Sequence, residues 1–161
     1  MDEEAAVEDG GMGIPVKVFP ECFPVDFADR ILPKGLVDME IDVFRVCING
    51  TINKETFYST FELTHLGIRP TPCNWEKKLE QPGTYSVSCN DTLGSCRNAL
   101  KCLVDHHPAA FLIQGTATSA LGPMQRTVDR DPHYQDPSHI DWWLFADSDP
   151  SPMFHKFEET P

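Results

Sequence analysis

The sequence predicts an α+β single domain: a small mixed or antiparallel sheet, one principal helix at about residues 91–106, a shorter helix at about 54–63, and long Pro-rich loops. Three observations predict it. Short apolar runs of strand length, alternating or continuous, recur at 41–48, 85–89, 110–113 and 139–145. Only the stretch from Leu93 to Val104 carries a long helical apolar stripe, made by Leu93, Cys96, Leu100, Leu103 and Val104. Fourteen prolines in 161 residues, well above the usual share of roughly 5%, fall between these segments rather than inside them.

Taken in order, residues 1–13 hold Asp2, Glu3, Glu4, Glu8 and Asp9 before Gly10-Gly11, and read as a disordered acidic tail. Residues 14–157 form the domain, and 158–161 a flexible end. An irregular lead-in, 14–38, carries Val16, Val18, Phe19, Phe23, Val25 and Phe27, which are expected to lie against the body. In Ile41–Ile48, Phe44, Val46 and Ile48 alternate with Val43, Arg45 and Cys47, and Asn49-Gly50 supplies a turn. Asn53 then resembles a helix cap for Lys54–Leu63, where Phe57 and Phe61 stand at helical spacing. Residues 64–83 form a long loop with Trp75 as its anchor. Tyr85, Val87 and Cys89 face one way in the next strand, Ser86 and Ser88 the other, and Asn90 or Asp91 caps the principal helix.

Pro108 ends that helix, and Ala110–Ile113 reads as a strand buried on both faces, with Gly115–Gly122 as a second, weaker one. A polar, proline-bearing loop leads to the last strand, His139–Phe145, whose faces separate sharply. Ile140, Trp142 and Leu144 make an apolar side, while His139, Asp141, Trp143 and Phe145 share the other. Phe154 and Phe157 dock the acidic end.

The formal net charge of −12 opposes binding to nucleic acid through phosphates, which depends on lysine and arginine, and favours a basic or neutral protein partner. No apolar run approaches the roughly 20 residues of a membrane helix. The Met-Asp-Glu-Glu start lacks the basic and apolar regions of a secretory signal, so the chain is expected to be cytoplasmic and its six cysteines free.

The polar residues on otherwise apolar strands are the candidate catalytic or ligand-binding set: Arg45, Ser86, Ser88, His139 and Asp141. Arg45 suits an anionic group, since its planar fork matches phosphate or carboxylate. The competing reading makes Arg45 and Asp141 an ion pair on a solvated sheet face. A Ser-His-Asp relay is disfavoured because neither serine stands in Gly-x-Ser-x-Gly. Trp143 and Phe145 are candidate partner-binding anchors, as aromatic residues dominate binding hot spots. No metal is expected; Cys102 and His106, at i and i+4 on a helix, are the weak candidates, with Cys73 or His133 as further ligands.

An arginine in an early strand, Val43-Phe44-Arg45-Val46, followed by Tyr85-Ser86-Val87-Ser88 leading into a helix, resembles the arrangement in ADP-ribosyltransferase-like folds, including NAD-degrading toxins of the RES type. The resemblance implies an NAD cofactor or substrate held by the arginine and serine, with a later glutamate driving the chemistry. This chain departs there: the helix reads Cys96-Arg97-Asn98-Ala99-Leu100-Lys101, and Asp141 is the available substitute. The expected function is a cytosolic protein-interaction or regulatory module without a cofactor. The alternative is an NAD or phospho-ligand enzyme using Arg45, Ser86, His139 and Asp141.

Overall fold

A computed structural model of the chain describes residues 17–158; the acidic start, Val16 and the last three residues lie outside them. Six strands make one antiparallel sheet: β1 (Glu40–Cys47), β2 (Val87–Asn90), β3 (Phe111–Thr118), β4 (Met124–Arg126), β5 (His139–Trp142) and β6 (Phe154–Lys156), in the order β4-β5-β2-β1-β3-β6. Among the described residues the three α-helices are α1 (Thr60–His65), α2 (Trp75–Lys78) and α3 (Leu93–Leu103), with a π-helical turn at Phe27–Ile31, and α3 packs on β1, β2 and β3. The α+β class and the single sheet are as the sequence predicts.

Register explains the main core. Cys89 stands opposite Ile140, Val87 opposite Trp142, and Met124 opposite Trp142 on its other side. Residues paired across strands share a face, so these side chains join Val43, Cys47, Ile113, Ala117, Phe57 and Phe154 in one buried cluster. Ile140 and Trp142 are fully buried in it, and Leu144 packs at its margin.

A second, aromatic core lies beyond the strand ends: Phe23, Phe27, Ile31, Tyr85 and Trp143, flanked by Phe19 and Phe61. Neighbouring rings meet mostly edge-on or tilted, such as Phe23 on Tyr85 at 5.0 Å and Phe23 on Phe61 at 5.6 Å, as their quadrupoles favour. The lead-in therefore covers the body, but Val18 and Val25 point to solvent, against expectation, since a chain this irregular buries only some of its side chains.

Several boundaries differ for identifiable reasons. The helix expected over 54–63 divides into a single 3₁₀ turn, Lys54–Phe57, and α1. Each has its own capping box: Asn53 with Thr56, then Ser59 with Glu62, and Tyr58 between them is extended. Phe57 consequently enters the main core and Phe61 the aromatic one. Tyr85 also leaves the strand reading, lying in a 3₁₀ turn, Pro82–Tyr85, so that the strand begins at Val87.

The principal helix is shorter than 91–106 and its N-cap is Thr92, neither Asn90 nor Asp91. Asn90 donates to Asp136 and Ser138, and Asp91 pairs with Arg126 at 2.6 Å. Finally, the two strands expected at 110–122 are one, β3, lying between β1 and β6. Gly115 does not break it: a Cβ there would collide with the Met153 carbonyl oxygen and stand 2.6 Å from the Phe154 ring, so glycine lets β6 approach.

Candidate functional site

β1 and β2 are paired at Phe44 and Asn90 alone, whereas β1 and β3 are paired over all eight residues. Arg45 bridges the loosely paired seam. Its Nη1 donates to the Ser88 carbonyl at 2.6 Å, and Nε and Nη2 both donate to the Thr56 carbonyl at 3.0 and 2.8 Å. Backbone dipoles thus hold a guanidinium that has no carboxylate partner among the described residues. Burial pulls its pKa below the ordinary value, the direction expected when a cation leaves water without a counter-ion. It also lies 5.8 Å over the Phe57 ring.

A cavity of about 250 Å³ opens here, lined by Arg45, Ser86, Ser88, Asn90 and His139, with Tyr58, Leu63, Arg69, Cys96 and Leu103 as further wall. A neighbouring cavity of about 310 Å³ shares Arg45, Ile48, Tyr58, Leu63 and Arg69 and adds Glu55, Ile68, Pro70 and His107. The two arginines therefore line both lobes, whose walls are mainly apolar, the smaller being the more polar lobe and the larger the apolar lobe. Arg69 is exposed and bonds the Thr60 hydroxyl at 3.4 Å; it too has no carboxylate partner among the described residues.

Four of the five candidate residues, Arg45, Ser86, Ser88 and His139, line the polar lobe, but they are not equivalent. Arg45 follows Val43 in alternation towards the core side of β1, while Ser86 and Ser88 share the face of Asp141 and His139. It reaches the same cavity because the β1–β2 seam is open.

Asp141 does not pair with Arg45, correcting that expected ion pair. It is buried, and its carboxylate is fully engaged: Ser86 donates to Oδ1 at 2.5 Å, Thr127 to Oδ2 at 2.8 Å, and Arg130 Nη2 approaches Oδ2 at 2.7 Å. Arg130 in turn bonds Gln125 and lies 5.5 Å over the Trp143 ring.

His139 joins this network through Thr127, whose Oγ1 lies 2.6 Å from Nδ1. The single Thr127 proton goes to the carboxylate, so Nδ1 carries the hydrogen and donates to the hydroxyl. Nε2 is left as the lone-pair nitrogen. Burial lowers the His139 pKa below 6.5, against the upward pull of Asp141 and Asp136, so the ring is neutral at pH 7. Ser86 commits its one proton to Asp141 and makes no bond to His139, so no serine–histidine relay exists.

Trp143 is completely buried in the aromatic core, with Nε1 donating to the Pro82 carbonyl at 2.9 Å. As an exposed partner anchor it is corrected: the lead-in covers it. Phe145 is half-buried against Phe19 at 5.3 Å. Cys102 and His106 both lie exposed beyond the cavity, as do Cys73 and His133. Among the described residues no group of three or more His, Cys, Asp or Glu is placed to hold a metal ion. Burial pushes the Cys89 thiol up to about 11 and that of Cys96 to about 12, so both are protonated at neutral pH.

Sequence reasoning missed Thr127, Arg130, Arg69 and Asn90. The first three stand in segments that read only as polar loops, and Asn90 reads as a helix cap. Ser59-x-x-Glu62 was a legible signal for the turn that carries Tyr58 to the cavity wall.

No protein-family model, curated protein or solved structure matches the chain. The fold and cavity define its class: a single α+β domain with a six-stranded antiparallel sheet and an arginine-lined cleft at a loosely paired seam. Among the described residues no helix is long and apolar enough to cross a membrane.

Proposed function

We propose that the protein is a non-catalytic recognition module whose binding site is the Arg45–Arg69 cleft and whose ligand presents an anionic group there. The observation that carries this reading is a pair of guanidiniums, on separate segments, lining a shared cavity without an ion-paired carboxylate among the described residues. A half-buried cation satisfied only by backbone carbonyls gains most from an anion, because those dipoles supply hydrogen bonds but no opposite charge. Glu55, on the wall of the apolar lobe, would exclude anions from that end. The acidic exterior suits a basic or neutral protein partner in the cytoplasm, and the ligand group acts as its anionic determinant.

The reading as an NAD or phospho-ligand enzyme uses the same cleft. It is supported by Arg45, Ser86 and Ser88 sharing a wall, and weakened by the full occupancy of Asp141, which leaves no free carboxylate in the place of the family's glutamate.

Calorimetric titration with inorganic phosphate tests the proposal in the wild type and in Arg69→Ala, an exposed change that leaves the core intact. Loss of one charge-assisted contact is expected to weaken binding by about ten-fold. Undetectable phosphate binding by the wild type, or equal binding by both, overturns it. Release of nicotinamide from NAD by the wild type would instead establish the enzyme.

A further inference from the structure

The polar lobe has a definite hydrogen-bonding character. Both Asn90 amide hydrogens are committed, to Asp136 at 3.0 Å and Ser138 at 3.3 Å, which leaves Oδ1 as an open acceptor. His139 presents Nε2 as a second acceptor, since Nδ1 donates to Thr127. The exposed Ser88 hydroxyl makes no hydrogen bond among the described residues and can give or receive. Among the described residues the Thr64 hydroxyl is the sole buried side-chain nitrogen or oxygen lacking a partner. The open atoms of Asn90 and His139 are therefore reached by solvent, and both residues line this cavity.

An acceptor-rich wall beside two cations selects for a molecule with an anionic head and hydroxyl donors on its body. Arg45 keeps two of its five N–H groups outside its bonds to Thr56 and Ser88, and Arg69 brings a second fork from a different segment. Two separate guanidiniums match a dianion with three terminal oxygens better than a single carboxylate, which one fork saturates.

We infer that the cleft takes a hydroxyl-bearing phosphate monoester of the sugar-phosphate class, its phosphate between Arg45 and Arg69 and its hydroxyls on His139, Asn90 and Ser88. This rests on the reading of the cleft as an anion site. Discrimination against analogues lacking the hydroxyls follows because the solvated acceptors lose water on binding and need replacement donors.

The test titrates the full chain at pH 7.5 with inorganic phosphate, methyl phosphate, ribose 5-phosphate and gluconate. Ribose 5-phosphate is expected to bind about ten-fold more tightly than methyl phosphate, the worth of one to two hydrogen bonds. Ser88→Ala and His139→Ala are expected to weaken the ribose ester about three-fold or more while leaving methyl phosphate unchanged. Ser88 is exposed, so its variant keeps the test available if His139→Ala does not fold. Equal affinity for the two esters, or tighter binding of gluconate, overturns the inference while the anion site stands. Failure of inorganic phosphate to bind removes the anion site itself.

Discussion

Replacing Asp141 by alanine separates a structural carboxylate from a functional one. The side chain is 3% exposed and accepts from Ser86, Thr127 and Arg130, the last 23% exposed. Removing it leaves one partly buried guanidinium and two buried hydroxyls without their acceptor, and each orphaned buried group costs its desolvation. Breaking a buried ion pair from one side typically costs about 3–5 kcal/mol. For a chain of this size about 1 kcal/mol moves the melting temperature by roughly 2–4 °C, so a fall of about 6–20 °C is expected. Urea unfolding at pH 7 should show a lower midpoint at constant slope, the signature of lost stability without a changed unfolded state. In Arg130→Met the pair is absent, and Asp141→Ala should then cost distinctly less, the coupling being the mark of direct contact. A loss below about 1 kcal/mol in the wild-type background, or additive effects in the double variant, would refute the argued network. Phosphate affinity in Asp141→Ala, measured below its melting temperature, should stay within about two-fold of the wild type, because the carboxylate lies behind the wall and not on it.

Two further outcomes follow from the same geometry. His139 has a folded pKa below its free value of 6.5. Stability is therefore lost as pH falls from about 6.5 through the folded pKa, and an anion held by the arginines in the same cavity offsets part of that loss by favouring the cation. Sulfate, a dianion throughout this range, should bind about three-fold or more tightly at pH 5.5 than at pH 7.5, and His139→Gln should abolish the difference. Gly115→Ala should destabilise by about 1–3 kcal/mol, the usual cost of overpacking, since the added Cβ meets the Met153 carbonyl and the Phe154 ring. Amide exchange should show β6 loosening first, and unchanged protection at Phe154–Lys156 would contradict the close approach.

Periodicity along the chain made the α+β class, the apolar side of the last strand and the stripe of α3 legible, apart from Val104, which lies past the end of α3 and is exposed, because alternation of two and repetition near 3.6 are local properties of strands and helices. Ile140 and Trp142 are core for that reason alone. The division of 54–65 into two capped turns was also present locally, in Ser59 and Glu62, although Phe57 and Phe61 masked it by standing at helical spacing. Strand alternation likewise put His139 and Asp141 on one face, whereas β5 ends at Trp142, and Trp143, expected to share that face, lies past the strand. What each residue does on that face depends on groups brought from elsewhere in the chain. Arg130 takes Asp141, Thr127 orients His139, and the lead-in seals Trp143 into the aromatic core.

The sequence by itself determined the positions of β1, β2, β3 and β5, the principal helix and the set of polar residues on those strands, whereas β4 and β6 formed in segments that read as loop and chain end. Only the tertiary structure decided that β1 and β2 meet at a single pair of residues. There Arg45 crosses from one strand to the carbonyl of the other and, with Arg69, borders a cavity. The physical reason is that register and seam opening are long-range balances among packing, loop closure and hydrogen bonding, and no local pattern in β1 or β2 records them.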